Sequence, residues 1–193
     1  MNHFYQRIPG WCDFQDVYAE AVARAKDGAR FAELGTFMGK SLAFLAVEIV
    51  NSGKAIAVDS VDATDVILIP PIEETEQAEA RRRWHGKKLS EVLSTVLSGP
   101  LERGLIHQHH TGDSVEAARL FRDQTFDFVF LDTIHLYEQT KRELEAWWPK
   151  LKTGGVFAGH DHTPEFPGVE KACREFFGPH YAIRRSSFVA LKS

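Results

Sequence analysis

Stretches of hydrophobic residues about as long as a β-strand alternate with helix-like patterns through most of the chain. In the helix-like segments, apolar residues recur three and four positions apart, the spacing that places them on one face of a helix. The predicted strands cover residues 30–34, 54–59, 105–109, 126–132 and 156–159. The predicted helices cover residues 14–26, 40–50, 114–123, 137–151 and 168–177, and a closing hairpin pairs residues 181–185 with 188–191.

This alternation predicts an α/β fold with a single doubly wound, mostly parallel sheet, helices on both faces and a C-terminal antiparallel hairpin. The whole chain, residues 1–193, is expected to form one domain, because its length suits one substantial core and not two. Two segments fall outside the alternation. Residues 1–27 are predicted to form an N-terminal helical segment. Residues 60–100, with a Pro-Pro pair and a charged helical stretch from about residue 73, are predicted to form a lid or substrate segment.

The composition is typical of a soluble globular protein, with 44% hydrophobic and 26% charged residues. The net charge of −4, with no basic run beyond residues 81–83, disfavours nucleic-acid binding. No apolar run approaches membrane-spanning length, and Cys12 and Cys173 match no metal or disulfide spacing. The sequence therefore predicts a cytoplasmic protein with a small-molecule partner and without nucleic-acid or membrane partners, and it leaves homo-oligomer formation open.

Residues 33–41 read ELGTFMGKS and connect the first predicted strand to a helix. The ending resembles a phosphate-binding P-loop, but three residues separate Gly35 from Gly39 where that loop has four. The dinucleotide fingerprint fails as well, because Phe37 stands where it requires a glycine. Glu33 would also repel a phosphate, since both are negatively charged. The loop therefore predicts a ligand other than a phosphate.

The loop and the strand that follows favour a cofactor with a ribose and a cationic group but no phosphate. The glycines allow the backbone to approach such a ligand closely. Glu33 offers negative charge to an ammonium group, and Asp59, predicted to end the second strand, is placed to accept hydrogen bonds from a ribose diol. S-adenosylmethionine combines these features, so the sequence predicts it as the cofactor.

The chain resembles the class I S-adenosylmethionine-dependent methyltransferases, and in particular the small bacterial branch related to macrolide-sugar and catechol-type O-methyltransferases. The resemblance spans about residues 31–178 and is carried by the segments AELGTFMGKSLAFLA, AIAVDS, GDSVEAARLF, FDFVFLDTIHLYEQTKRELEAW, LKTGGVFAGHDH and FPGVEKACREFF. It implies a Rossmann-like fold with a seven-stranded sheet and a reversed final hairpin.

The resemblance also implies which residues bind the cofactor. Glu33, Gly35 and Gly39 would contact its methionine part, and Asp59 its ribose. Residues 113 and 114 would lie by the adenine, although Gly-Asp-Ser before a helix also indicates a helix N-cap, and the two roles are compatible. The full expected set is Glu33, Gly35, Thr36, Gly39, Ser41, Asp59, Ser60, Asp113, Ser114 and Asp132.

Histidines and carboxylates cluster after the fourth and fifth predicted strands. His135 and His162 are the candidate catalytic bases, and Asp132 and Asp161 are candidate orienting groups or metal ligands. A divalent metal held by Asp132, Asp161 and His162 would lower the pKa of a substrate hydroxyl. Metal-dependent relatives carry an acid where this chain has Ile134, and an Asp or Asn in place of His162. A metal-free polar rim is therefore the alternative.

The sequence thus predicts an enzyme that moves a methyl group from S-adenosylmethionine to a small-molecule acceptor, with a hydroxyl as the expected methyl-accepting group. Two other functions stay open at this point. One is a domain that binds the cofactor without turnover, an alternative that the altered segment 132–137 keeps open. The other is a metal-dependent hydrolase using His160, Asp161 and His162, in which the glycine loop would have no role.

Overall fold

The computed structural model of the chain describes residues 1–66 and 82–193. The strands are β1 (Arg30–Leu34), β2 (Ala57–Asp62), β3 (Ile106–Thr111), β4 (Phe126–Leu131), β5 (Leu151–Gly159), β6 (Ala182–Arg184) and β7 (Ser187–Leu191). The helices are α1 (Gln15–Arg24), α2 (Lys40–Ser52), α3 (Leu89–Val96), α4 (Ser98–Glu102), α5 (Ser114–Ala117), α6 (Tyr137–Trp147) and α7 (Pro167–Phe177), with 3₁₀ turns at Tyr5–Arg7 and Ala118–Leu120. No helix in this part of the chain is long and apolar enough to cross a membrane.

The strands form one seven-stranded sheet in the order β3-β2-β1-β4-β5-β7-β6. The first five strands along the chain pair in parallel. Strand β7 runs antiparallel to both β5 and β6, so it is the reversed strand of the closing hairpin. The predicted doubly wound sheet with a C-terminal hairpin is confirmed.

Both faces of the sheet are buried, because successive side chains of a strand point to opposite sides. Phe31 of β1 and Phe130 of β4 pack on the face that α1 and α2 cover. Leu34 and Val129 pack on the other face with α6 and α7, where Trp147 is fully buried. The near-continuous apolar strands seen in the sequence follow from this burial on both sides.

The boundaries of the second strand differ from the prediction. Helix α2 ends at Gly53, whose φ is 69°, and pairing with β1 starts only where Ala57 lies beside Arg30. The strand therefore runs on to Asp62, and Asp59 lies in its middle. The prediction that Asp59 ends this strand is wrong.

Residues 67–81, which belong to the predicted lid or substrate segment and to its charged helix, lie outside the described residues. After them, Trp84 is buried in the core. Helix α3 adds Leu89 and Leu93 to the core cluster that α2 also enters. This part of the segment belongs to the body of the fold, and the role of the segment as a lid stays a prediction.

Candidate active site

The strand order reverses between β1 and β4, because β1 leads to β2 and β3 on one side and β4 leads to β5 on the other. The Asp132 N–H donates to the Leu34 carbonyl oxygen at 2.8 Å. A Cβ atom on Gly35 would lie 1.7 Å from the Asp132 carbonyl oxygen, and Gly35 has a φ of +84°. Only glycine fits here, since side chains rarely adopt that φ and none has room. Ligands of such sheets bind at this reversal.

A cavity of about 400 Å³, here called the switch-point cavity, opens beyond the carboxyl ends of the first four strands. It is lined by Gly35, Phe37, Val61, Asp62, Ala63, Thr64, Asp113, Ser114, Asp132, Thr133, Ile134, Gln139 and Glu143. Four of these residues are acidic. Among the described residues that line the cavity there is no lysine or arginine. The cavity therefore favours a ligand that has hydroxyl groups and is neutral or positively charged.

Asp62, at the end of β2, ties the glycine loop to this cavity. Its Oδ2 accepts hydrogen bonds from the N–H groups of Thr36 at 2.9 Å and Phe37 at 2.8 Å. Its Oδ1 accepts one from the N–H of Thr64 at 2.8 Å. A carboxylate offers about four acceptor positions, so Oδ1 can accept one more hydrogen bond. The sequence prediction missed Asp62, although the second aspartate of AVDSVD was the signal that could have found it.

Asp59 and Ser60 do not reach the cavity. Asp59 is 2% exposed, and its carboxylate accepts hydrogen bonds from Arg30 at 2.6 and 2.9 Å and faces His110 Nε2 at 2.8 Å. Ser60 is fully buried and bonded to two histidines of β3. Asp59 and Ser60 lie two or three residues before the end of β2, whereas the cavity opens at the strand end, at Val61 and Asp62. The expected contacts of Asp59 and Ser60 with the cofactor are therefore not provided by this fold.

Glu33 lies on the sheet face that α1 and α2 cover and does not line the switch-point cavity. Its carboxylate accepts hydrogen bonds from the hydroxyls of Tyr18 at 2.7 Å and Ser41 at 3.1 Å. Burial raises the pKa of Glu33 to about 8, although both hydrogen bonds act in the other direction. Glu33 and Ser41 thus support the glycine loop, where the sequence had predicted direct contact with the cofactor.

Two further predicted residues of the loop, Thr36 and Gly39, are buried. Gly39 is the N-cap of α2 with a φ of 80°, and a Cβ there would lie 2.7 Å from the Leu93 side chain. Thr36 is 2% exposed, and its hydroxyl has no hydrogen-bond partner among the described residues. A buried hydroxyl without a partner is costly, so the loop retains hydrogen-bonding capacity beside the cavity.

Asp113 and Ser114 both line the cavity, as predicted for an adenine site. Asp113 is also the N-cap of α5, because its Oδ1 accepts hydrogen bonds from the N–H groups of Val115 at 2.9 Å and Glu116 at 3.0 Å. The Ser114 hydroxyl donates to Glu143. The N-cap is therefore confirmed, and the role beside the adenine stays a prediction.

Glu143 is a second site residue that the sequence prediction missed. It lies on the buried face of α6, and its carboxylate also accepts hydrogen bonds from Thr133 Oγ1 at 2.8 Å and Gln139 Nε2 at 3.0 Å. Burial raises the pKa of Glu143. The available signal was its helical spacing with Thr140, Leu144 and Trp147, which places a carboxylate on an otherwise core-facing side of the helix.

A row of alternating carboxylates and imidazoles, here called the carboxylate–histidine chain, runs away from the cavity. His135 Nε2 lies 3.1 Å from Asp132 Oδ1 and 2.8 Å from Asp161 Oδ2. His160 Nδ1 then lies 3.2 Å from Asp161 Oδ1, and its Nε2 lies 2.6 Å from Asp13 Oδ1. His135 and Asp161 have φ values of 59° and 56°, uncommon for residues other than glycine. These turns aim both side chains at each other.

The carboxylate–histidine chain favours the protonated form of both of its histidines. Burial would lower the pKa of His135, but its hydrogen bonds to Asp132 and Asp161 outweigh burial and raise the pKa to about 9. Burial would likewise lower the pKa of His160, yet the carboxylates around it raise that pKa. Burial would raise the pKa of Asp161, but the two histidines hold it well below its usual range. With a pKa of about 9, His135 carries a proton at neutral pH, and its single positive charge lies between two carboxylates.

His162 does not join this group. It is 8% exposed, its Nε2 lies 3.1 Å from the Tyr181 hydroxyl, and its N–H donates to the Ser186 carbonyl oxygen. The predicted metal set of Asp132, Asp161 and His162 is therefore not assembled, because the His162 ring is engaged with Tyr181 and lies outside the group. The ligand set of the alternative hydrolase, which also needs His162, is not assembled either.

In the described part of the chain, one group of three residues could hold a metal ion. Asp132, His135 and Asp161 each place a ligand atom within 4.8 Å of the others. Two carboxylates and one imidazole are ligands that suit a divalent ion. The structure thus replaces His162 of the predicted set with His135.

A second cavity, here called the N-terminal cavity, has a volume of about 410 Å³. It is lined by Tyr5, Gln6, Gly10, Trp11, Cys12, Asp13, Lys40 and His160. The two cavities are neighbours, because His160 Nδ1 lies 3.9 Å from Asp132 Oδ1 and the rings of Trp11 and Phe37 lie 6.2 Å apart. Lys40, the lysine of the Gly-Lys-Ser sequence, lines this second cavity and not the first.

Residues 32–162 match a family model described as a methyltransferase domain. Solved structures with the same fold include CalS11, described as a TDP-rhamnose 3′-O-methyltransferase in calicheamicin biosynthesis. It is 19% identical with a TM-score of 0.60, and the match covers 92% of this chain and 76% of that one. The O-methyltransferase NovP is 15% identical with a TM-score of 0.63, covering 93% and 79%.

An S-adenosylmethionine-dependent O-methyltransferase from Thermotoga maritima is 17% identical with a TM-score of 0.59, covering 96% of this chain and 66% of that one. At these identities the similarity to solved structures establishes the fold. A comparison with curated proteins finds no match.

Proposed function

Because the chain belongs to the methyltransferase domain family, whose members take their methyl group from S-adenosylmethionine, we propose that it methylates a hydroxyl group on a small molecule. The observation that carries the proposal is the acidic cavity at the point where the strand order reverses. The size and charge of this cavity bear on the cofactor. The carboxylate–histidine chain beside it bears on the methyl acceptor.

The switch-point cavity fits the cofactor in size and charge. Its volume of about 400 Å³ lies in the range of small-molecule sites. We assign the ribose diol to Asp62, whose Oδ1 can accept a further hydrogen bond, and the adenine to Asp113, Ser114 and Glu143. The cofactor carries a positive sulfonium and an ammonium group, which four acidic residues favour, whereas the phosphates of ATP or NAD would be repelled.

When bound, S-adenosylmethionine would supply a methyl group on a positive sulfur that retains the bonding electrons. The acceptor oxygen would take this methyl group while its proton passes to Asp13, the carboxylate placed to accept the hydrogen bond of the hydroxyl. The protein contributes alignment, because an in-line displacement requires the two reacting atoms to be held close and in the right direction. Gly35 leaves the backbone open at the cavity, and Asp62 fixes the loop above it. Asp132 lies at the boundary with the second cavity.

The carboxylate–histidine chain supports a hydroxyl as the methyl acceptor. It ends at Asp13, whose side chain is 58% exposed in the N-terminal cavity and can accept a hydrogen bond from a hydroxyl. Two of the structures with this fold, CalS11 and NovP, are O-methyltransferases by description. The small size of both cavities supports a small-molecule acceptor.

A divalent ion could serve the same site. Asp132, His135 and Asp161 would hold it, and it would supply Lewis acidity that lowers the pKa of the acceptor hydroxyl. Because an imidazole is among the ligands, Mn²⁺, Fe²⁺ or Zn²⁺ would be preferred over Mg²⁺.

Calorimetry and a methyl-transfer assay test the proposed function. We expect S-adenosylmethionine to bind in the micromolar range and ATP and NAD far more weakly. Matched acceptors that differ only in carrying a hydroxyl or an amine should be methylated at the hydroxyl. Tight ATP binding without S-adenosylmethionine binding would overturn the cofactor assignment, and methylation of the amine partners alone would overturn the O-methylation.

The metal is tested by EDTA treatment, add-back of each ion and elemental analysis. If an ion serves the reaction, activity falls with EDTA and returns with Mn²⁺ or Zn²⁺, and His135→Ala loses the bound ion while His162→Ala keeps it. His162→Ala is the matched control, because His162 lies outside the ligand group. Full activity after EDTA, with no ion found by elemental analysis, excludes a metal role. The carboxylate–histidine chain would then act without a metal.

A further inference from the structure

The N-terminal cavity contains a cation that the switch-point cavity lacks. Lys40 lines it half-buried, and its ammonium group has no hydrogen bond or ion pair within residues 1–66 and 82–193. Asp13, the carboxylate of the same cavity, is bonded to His160 and Ser186. An ammonium group that forms no ion pair with the carboxylate of its own cavity favours an anionic ligand.

Aromatic surface lies beside this cation. Trp11 lines the cavity with 72% of its surface exposed, and its ring lies 6.2 Å from that of Phe37, which is 42% exposed. Tyr5 lines the cavity as well. Aromatic rings at the wall of a cavity bind flat apolar groups by stacking, so these residues favour a ligand with an aromatic body.

The position of the cavity relates it to methyl transfer. His160 lines the N-terminal cavity, and its Nδ1 lies 3.9 Å from Asp132 Oδ1 at the wall of the switch-point cavity. Asp13, beside His160, retains acceptor capacity for a hydroxyl. A hydroxyl bound at Asp13 would therefore lie at the boundary between the two cavities.

We propose that the N-terminal cavity is the acceptor site and takes a small aromatic hydroxyl compound that carries a carboxylate. Lys40 pairs with the carboxylate, Trp11 stacks on the ring, and Asp13 accepts the hydrogen bond of the hydroxyl. This inference rests on the proposed function and adds the chemical class of the acceptor. A competing use of Lys40 is to pair with the carboxylate of the cofactor's own methionine part, and the experiment separates the two.

The experiment is calorimetry in two stages. The first measures S-adenosylhomocysteine, the product form of the cofactor, with the native chain, Lys40→Met and Lys40→Arg. The second is run with S-adenosylhomocysteine bound and measures para-hydroxybenzoate, meta-hydroxybenzoate and para-hydroxycinnamate, each against its carboxamide. Trp11→Ala and Trp11→Phe are measured in the same way, because phenylalanine keeps an aromatic ring at that position.

We expect the carboxylates to bind about five- to tenfold more tightly than their carboxamides, the effect of one half-buried charge pair. The preference should disappear in Lys40→Met and persist in Lys40→Arg. Trp11→Ala should weaken the acids and amides alike, and Trp11→Phe should weaken them less. The affinity for S-adenosylhomocysteine should be unchanged throughout.

Three results would overturn the inference. The first is a native chain that shows no preference for the acids, and the second is a panel without a single binder at about 1 mM. The third is a Lys40→Met variant that binds S-adenosylhomocysteine more weakly than the native chain but, at saturating S-adenosylhomocysteine, keeps the acid preference. The last result would assign Lys40 to the cofactor. Failure of the native chain to bind S-adenosylhomocysteine in the first stage would instead refute the proposed function itself, so the two failures are distinguishable.

Discussion

Asp62→Asn and Asp59→Asn form a matched pair of substitutions, because both replace an aspartate of β2 by its amide. Asp62 accepts three backbone N–H groups at 2.8–2.9 Å beside the switch-point cavity. Asp59 is buried against Arg30 and His110, away from that cavity. The first substitution should therefore change cofactor binding, and the second should change folding stability.

The expected sizes follow from the contacts. An amide has one acceptor oxygen where a carboxylate has two, so Asp62→Asn leaves at least one loop N–H without its partner. Hydrogen bonds to charged groups contribute about 1.5–3 kcal/mol, and the loop is partly hydrated, so we expect an affinity loss of about 1–2 kcal/mol, or about 5- to 30-fold in Kd. For Asp59→Asn we expect a loss of about 1–2 kcal/mol in the free energy of unfolding. This is less than the usual cost of breaking a buried ion pair, because the Arg30 side chain is 39% exposed and can be hydrated.

Calorimetry with S-adenosylmethionine measures the Kd, and urea unfolding measures the free energy of unfolding, for the native chain and both variants. We expect Asp62→Asn to change mainly the Kd and Asp59→Asn to change mainly the unfolding free energy. If Asp59→Asn weakens S-adenosylmethionine more than Asp62→Asn does, without a loss of stability, the assignment of the ribose to Asp62 is refuted.

Two further predictions concern the residues around the glycine loop. Burial raises the pKa of Glu33 from its ordinary value of 4.5 to about 8, so the folded state binds more protons between these values and stability falls as pH rises through this range. The free energy of unfolding in urea should be lower at about pH 8 than at about pH 5, by a few kcal/mol at most, in the native chain and not in Glu33→Gln. The same pH dependence in both proteins would contradict this prediction. Gly35→Ala should cost at least about 3 kcal/mol, because its Cβ would lie 1.7 Å from a carbonyl oxygen, whereas Gly28→Ala, with a similar φ of +80° and open space around it, should cost about 1 kcal/mol. Equal losses of unfolding free energy in the two variants would show that the approach of Asp132 is not the cause.

The sequence determined the fold class and the place of the site. Strands buried on both faces carry near-continuous hydrophobic residues, and the helices between them carry the helical spacing, so the parallel sheet could be predicted from local pattern alone. Once the strands are parallel, their carboxyl ends share one edge, and of the residues expected there Gly35, Asp113 and Asp132 line one cavity, whereas Glu33, Asp59 and Asp161 do not. The glycine spacing also argued against a phosphate loop, and Lys40 lines the N-terminal cavity and not the switch-point cavity.

The tertiary structure decided which side chains enter that site. Asp59 and Asp62 are nearly equivalent in local sequence, but pairing with β1 carries the strand on to Asp62, so only Asp62 lies at the strand end where the cavity opens. His135 and His162 are likewise separated by backbone turns, at His135 and Asp161, that no periodic pattern predicts. Asp13 reaches His160 across 147 positions of the chain. Local sequence sets period and polarity, whereas register, turn geometry and contacts between distant residues depend on how the whole chain packs.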